Sequence, residues 1–376
     1  MGENHLTYFK IENFKRFDSF EMENLGQFNL LVGDNNVGKT SVLEGLCFHP
    51  DGDTCLANLF QTLLFRKLFF VDKKKVLANL NDENLWKFIL KNIDKTLQVN
   101  NGYGDEQEII NWEIVEHQTL TESDWNAINK KGYRNDGVSI FKKGVRISSE
   151  YAEKDKKYYP FSYNFYPFSR TTNEEIEMNW GYMPFIPTNL GYDFDLLDFY
   201  YKKINADKDL RKEFDSNLKT FIPKLEETRT QKMLNDIDFI CVSLEDDNGL
   251  YPITRFGDGV VKLVRVLLEI LMAKGKRLMI DEIETGIHFS RLKEFWKTVI
   301  TLCKKYDVQL FATTHSLECQ KYFVYALAEL GEEDRKNARN ISLLENKEGN
   351  IESVIFDYEQ FEFALEIGAN TRGGER

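Results

Sequence analysis

An α/β fold with a mixed, largely parallel sheet, interrupted by a large α+β insertion, is what the sequence predicts. Three observations carry that expectation. Residues 236–376 alternate short apolar strands with amphipathic helices across short connections, the pattern of βαβ units with right-handed crossovers. A mostly apolar strand, Phe28-Asn29-Leu30-Leu31-Val32, runs directly into a glycine-bearing loop and a helix. Between them, residues 49–235 change texture, so the core is composed of 1–48 and 236–376 with an inserted helical and β-rich subdomain.

In chain order, Leu6 to Ile11 roughly alternates and Phe17 to Met22 follows a basic turn, giving two strands before the buried one. The helix after the glycine loop is predicted from Lys39 to Phe48. Inside the insertion, Leu56 to Ile93 reads as helical. Residues 97–168 read as strands broken by turns at Asn101-Gly102, Asn135-Asp136-Gly137 and Lys143-Gly144. Asp193 to Leu225 returns to helix, with Leu210, Phe214, Leu218 and Phe221 on one face. The closing segment reads as strands Asp238–Leu244 and Tyr251–Arg255, a helix from Gly259 to Ala273, and strand Arg277–Ile280. Helix Ser290–Lys304, strand Val308–Ala312, helix Leu317–Glu329, a hairpin over 341–355 and a helix near Tyr358–Glu366 complete it.

Composition excludes several classes. With 42% apolar and 29% charged residues the chain is neither disordered nor fibrous. The longest apolar run, Val260 to Met272, carries Lys262, Arg265 and Glu269, so no membrane span is expected. Met1 to Lys10 has no basic segment before an apolar core, which points to a cytoplasmic protein. A net charge of −12 argues against holding duplex DNA by bulk electrostatics, although a local basic patch would suffice. The five cysteines form no C-x-x-C and are expected as buried free thiols.

Gly33-Asp34-Asn35-Asn36-Val37-Gly38-Lys39-Thr40 has the form G-x-x-x-x-G-K-[ST], the phosphate-binding loop. The glycines Gly33 and Gly38 let the backbone N–H groups of Asn35, Asn36, Val37 and Ser41 turn toward phosphates. Lys39 is placed to reach the β- and γ-phosphates of ATP, and Thr40 to ligate Mg²⁺. Arg277-Leu278-Met279-Ile280-Asp281-Glu282 is an apolar strand ending in two carboxylates, at the edge where α/β sheets bind ligands. Asp281 is the candidate Mg²⁺ ligand and Glu282 the candidate acceptor of the attacking water's proton. Val308 to Ser316 is a further buried strand ending in a polar turn, which aims His315 at the same crevice as a γ-phosphate contact.

Taken together, Asn35-Asn36 in the loop, Asp281-Glu282-Ile283-Glu284, Thr313-Thr314-His315-Ser316 and the N-terminal Ile11-Glu12-Asn13-Phe14-Lys15-Arg16-Phe17 resemble the ABC-type P-loop ATPases of the RecF/SMC/OLD group. The resemblance is greatest to the ATPase half of OLD-family (overcoming lysogenization defect) proteins of anti-phage defence. It covers the two core segments and implies an ATPase head. ATP would assemble two copies through composite sites, with Gly257 and Gly259 of one copy donating to the γ-phosphate of the other. The segment Arg255-Phe256-Gly257-Asp258-Gly259 departs from the transporter sequence L-S-G-G-Q, and Asp258 also reads as a helix N-cap. Gly286-Ile287-His288 resembles the loop that touches the partner head, with Phe289 in place of the usual proline.

Only 61 residues follow His315, too few for the TOPRIM nuclease domain of OLD nucleases, so the effector is expected as a separate chain, such as a TOPRIM or HNH nuclease. A RecF-like DNA-repair ATPase binding DNA directly, and a scaffold with structural ATP, are the alternatives. Two further features stand out. Tyr158 to Phe168 is dense in aromatics, read as core packing of the insertion before base stacking. The basic cluster Arg66, Lys67, Lys73, Lys74 and Lys75 reads as the solvated face of a helix.

Overall fold

Strands that are apolar at nearly every position need cover on both faces. In this computed structural model, which describes residues 4–66, 83–130, 143–152, 158–167, 181–233 and 237–368, they receive it. Strand labels follow chain order. One sheet runs β15 (Ile351–Phe356), β14 (Ala338–Glu345), β3 (Phe28–Gly33), β13 (Gln309–Thr313), β12 (Arg277–Ile280), β8 (Phe185–Ile186). All neighbours are parallel except the edge pair β14–β15.

The two-residue period of a strand divides each apolar run between two cores. Phe28, Leu30, Val32, Leu278, Ile280, Leu310 and Ala312 face one side. There they pack with residues of helices Asp258–Met272, Leu292–Lys305 and Leu317–Leu330. Leu31, Met279, Phe311, Ile341 and Leu343 face the other side. That second core also holds Val42 and Leu43 of helix Lys39–Gly45 and Phe9 and Ile11 of β1 (Tyr8–Phe14). The helix lies close on β1: a methyl group added at Gly45 would sit 3.0 Å from Ile11 and 3.2 Å from Phe9.

A second, antiparallel sheet has the order β2 (Phe17–Met22), β1, β4 (Leu97–Tyr103), β5 (Glu106–Glu116), β6 (Lys143–Ala152), β7 (Tyr158–Pro167). Strands β9 (Leu225–Lys232), β10 (Asp238–Leu244) and β11 (Asp247–Pro252) form a third. Segment 49–235 is interleaved with both core segments. β4 pairs with β1, β8 pairs with β12 through Met279↔Phe185, and Leu196, Tyr200, Phe214 and Leu218 enter the first core.

Several local expectations are corrected. Asn101-Gly102 and Lys143-Gly144 are strand residues, not turns; Gly102 lies where a Cβ would be 2.8 Å from Tyr8 Cβ. The stretch read as all-β contains the helix Glu122–Lys130. Its Asp124 accepts from Arg146 Nη2 at 2.7 Å and from Tyr163 at 2.7 Å. Those bonds hold the carboxyl down to about 2 against the opposing effect of burial. Asp258 is the first residue of its helix, not its cap; Gly257 occupies the cap position. On β7, Phe165 and Tyr166 are core residues, whereas Tyr158, Tyr159, Phe161 and Tyr163 are exposed. Phe168, Lys67, Lys73, Lys74, Lys75 and the Asn135-Asp136-Gly137 turn lie outside the described residues. All five cysteines are buried thiols. Among the described residues no helix is long and apolar enough to cross a membrane.

Candidate active site

Because β3, β12 and β13 are parallel, the residues that follow them emerge at one edge of the sheet. After β3 the chain makes the phosphate loop. Gly33, Asn36 and Gly38 have φ of 153°, 67° and 97°. A Cβ at Gly38 would stand 2.7 Å from the Phe17 ring, and one at Gly33 would stand 2.8 Å from the Leu343 carbonyl oxygen. Both glycines are therefore required by close approach as well as by φ. Val37 is buried beneath the loop, and Asn35 and Asn36 are exposed on it. Lys39 is buried and donates through Nζ to the carbonyl oxygens of Gly33 at 2.8 Å and Asp34 at 2.9 Å. Burial lowers its pKa, against the pull of Asp281, Glu282, Asp34 and Glu284.

Asp281, at the end of β12, is buried and collects three hydroxyl donors. Thr40 Oγ1 lies 3.0 Å from Oδ2, Thr188 Oγ1 lies 3.0 Å from Oδ2, and Thr313 Oγ1 lies 2.7 Å from Oδ1. The Thr40–Asp281 contact joins residues 241 apart in sequence. Thr188 carries no motif. It arrives because β8 pairs beside β12, with the Asp281 N–H donating to Ile186 O at 2.9 Å.

Glu282 has φ of 45°, the left-handed region, which costs a non-glycine residue roughly 1–3 kcal/mol. The turn is held by its N–H donating to Thr313 Oγ1 at 2.8 Å and by the Ile283 N–H donating to Thr313 O at 3.1 Å. The result aims the Glu282 carboxylate at His315, with Oε1 3.0 Å from Nε2. Thr314, next to that histidine, instead donates to Glu284 Oε1 at 2.7 Å.

These groups share one cavity of about 1040 Å³, whose lining includes Asn35, Asn36, Gly38, Lys39, Thr40, Ser41, Asp281, Glu282 and His315. The cavity is also bordered by Lys15, Arg16, Arg66, Lys87 and Phe88, the last three from the insertion. Gly257 and Gly259 do not line it. They sit where a Cβ on Gly259 would be 2.9 Å from the Gly286 carbonyl oxygen, so the two segments expected to meet a partner copy are adjacent.

Lys262, on helix Asp258–Met272, is buried, with no hydrogen-bond partner for Nζ among the described residues. Burial lowers its pKa to about 8 despite the attraction of Asp281 and Glu284. Between that value and the ordinary lysine range the unfolded chain binds the extra proton, so stability rises with pH across that window. The stability gap between wild type and Lys262→Met is therefore expected to change by about 2 kcal/mol in favour of wild type from pH 7 to 9.5. Paired thermal unfolding curves at the two pH values test it; a constant gap would show that Lys262 is not held against its charge.

Residues 193–319, which contain the carboxylate strand and His315, match the AAA ATPase domain family. Over 335 residues the chain is 24% identical to an ATP/GTP phosphatase of Helicobacter pylori (strain ATCC 700392 / 26695), spanning 82% of this chain and 85% of that one. Among solved structures it is similar to an SMC head bound to the C-winged helix domain of ScpA, at 11% identity, TM-score 0.48, and 94% and 99% of the two chains. It is likewise similar to the SMC head domain from Thermotoga maritima, at 11% identity, TM-score 0.41, and 94% and 98% coverage. A phosphate loop, a carboxylate pair and a histidine on one cavity, with an ATPase domain match across the second half of the site, make this chain an ATP-hydrolysing enzyme on a P-loop α/β fold.

Proposed function

We propose that this ATPase closes in pairs on ATP and that its hydrolysis cycle switches a separately encoded effector, a nuclease of TOPRIM or HNH type in anti-phage defence. The observation that carries the catalytic reading is the Glu282–His315 contact of 3.0 Å beside the Thr40–Asp281 contact on one cavity. Glu282 takes the proton of the attacking water, and His315, within hydrogen-bond reach, orients that carboxylate and faces the γ-phosphate. Lys39 leaves its loop carbonyls for the β- and γ-phosphates.

The donor set suits Mg²⁺. A hydroxyl and a carboxylate stand 3.0 Å apart, both hard oxygens, and the described residues hold no cluster of three His, Cys, Asp or Glu that would bind a metal without phosphates. Thr40 and Asp281 would hold the ion, which supplies charge neutralisation at the phosphates.

Closure on a second copy is supported by the place of Gly257 and Gly259 outside the cavity lining of their own chain. Gly257 has φ of 88° and open space where a Cβ would stand, it caps the helix Asp258–Met272, and neither it nor Gly259 lines the cavity of its own phosphate loop. A partner's γ-phosphate is the anion such a helix start would take. Gly286 lies against Gly259, and Phe289, which follows Gly286-Ile287-His288, is exposed. ATP-dependent closure is then a two-state element that an effector reads. The likeness to OLD-family ATPases in the motifs supports the defence role.

The test is affinity purification of tagged Glu282→Gln with ATP and Mg²⁺ from its own cells, with light scattering on the pure variant. The expected result is a doubled or larger mass with ATP and a stoichiometric nuclease. Recovery of the chain with nuclease-sensitive DNA and no protein partner would instead establish a RecF-like, DNA-binding reading. An unchanged mass with ATP would remove the composite-site proposal.

A further inference from the structure

Apolar residues that flank a turn normally bury together. In the stretch 85–90, Leu85, Trp86, Ile89 and Leu90 do so in the second core, yet Phe88 is 52% exposed. A single exposed phenylalanine is unremarkable on a surface. This one borders the phosphate-loop cavity, which Lys87 and Arg16 also line.

Its position is also fixed. The Asn13 side chain donates to Asn92 O at 2.8 Å and Lys95 O at 2.7 Å, and its Oδ1 accepts from the Asn92 N–H at 2.7 Å. The Lys15 N–H donates to Ile89 O at 2.8 Å, and Phe14 bridges Leu90. Asn13 and Lys15 are held in the left-handed region, φ 56° and 51°, to make these bonds. The turn between β1 and β2 and the segment after helix Glu83–Lys87 are thus tied into one unit, and the tie sets the Phe88 ring at the cavity rim. Arg16 is held in turn by Glu345, with Nη2 2.9 Å from Oε2.

The phosphate loop borders only part of a cavity of about 1040 Å³, whose lining also takes in Lys15, Arg16, Arg66, Lys87 and Phe88. The cavity as a whole is at the upper end of the size that holds an entire small ligand, roughly 300–1,000 Å³. Every nucleobase presents a π-face, and a fixed, solvent-facing aromatic ring is a platform for it. We propose that Phe88 is the platform on which the base of the bound nucleoside triphosphate stacks, so that the insertion, and not the phosphate-loop core, supplies the base subsite. This rests on the nucleotide-binding reading of the cavity. Stacking reads no hydrogen-bond pattern, so the subsite accepts adenine and guanine alike.

The experiment compares equilibrium binding of ATP, GTP and inorganic tripolyphosphate, all with Mg²⁺, to wild type, Phe88→Ala, Phe88→Trp and Lys39→Ala. Phe88→Ala is expected to weaken ATP and GTP about tenfold each and to leave tripolyphosphate unchanged, as loss of one stacked base predicts. Phe88→Trp is expected to retain affinity and to show fluorescence quenching by ATP but not by tripolyphosphate. Unchanged ATP binding by Phe88→Ala would overturn the proposal. So would an equal loss for tripolyphosphate, because the ring would then act through the fold. Lys39→Ala separates the two readings: if it still binds tripolyphosphate as wild type does, the phosphate site itself is misassigned, whatever Phe88 does.

Discussion

Glu282→Gln is expected to bind ATP with near wild-type affinity and to hydrolyse it about 10²–10⁴-fold more slowly, the range contributed by a positioned general base. The substitution is close to isosteric, and glutamine's amide oxygen still accepts from His315, which sits 3.0 Å from Glu282 Oε1. What disappears is the capacity to take a proton. The backbone at this position supports the assignment. A glutamate with φ of 45° is kept in a costly conformation by two hydrogen bonds to Thr313, and such strain persists where the surroundings over-determine it. Rapid-quench turnover beside nucleotide binding checks the split. Turnover at the wild-type rate would move the base elsewhere.

Lys39→Ala has the largest expected effect on binding. Its ammonium is buried, burial lowers its pKa against the pull of the surrounding carboxylates, and the loop carbonyls accept its hydrogen bonds. Loss of charge-assisted hydrogen bonds to phosphate is expected to weaken ATP by about 100-fold. Isothermal titration reads the loss, and a thermal unfolding curve within a few degrees of wild type excludes collapse of the loop as its cause. Retention of wild-type affinity would contradict the phosphate-loop assignment.

The phosphate loop, the carboxylate pair and His315 were legible because each ends a strand buried on both faces. An apolar run such as Leu278-Met279-Ile280 is conspicuous in sequence, and the polar residues after it have one direction in which to go. Contacts that depend on distant pairing were not legible. Thr188 reaches Asp281 only because a two-residue strand docks beside β12, and nothing local marks it. Asn101-Gly102 has turn chemistry, yet in β4 the missing side chain makes room for Tyr8. Helix Glu122–Lys130 is anchored by Asp124 to Arg146 and Tyr163, residues of strands beyond it. Phe88 was not legible for the same reason: the segment that carries it to the cavity is tied down by Asn13, far away in sequence.

The most direct test of the account is phosphate release from Mg²⁺-ATP per chain, measured for wild type and Glu282→Gln over rising protein concentration. The expected wild-type rate per chain climbs to a plateau as copies pair, whereas Glu282→Gln gives a flat, near-zero line. No release by wild type at any concentration, or equal release by both proteins, would contradict it.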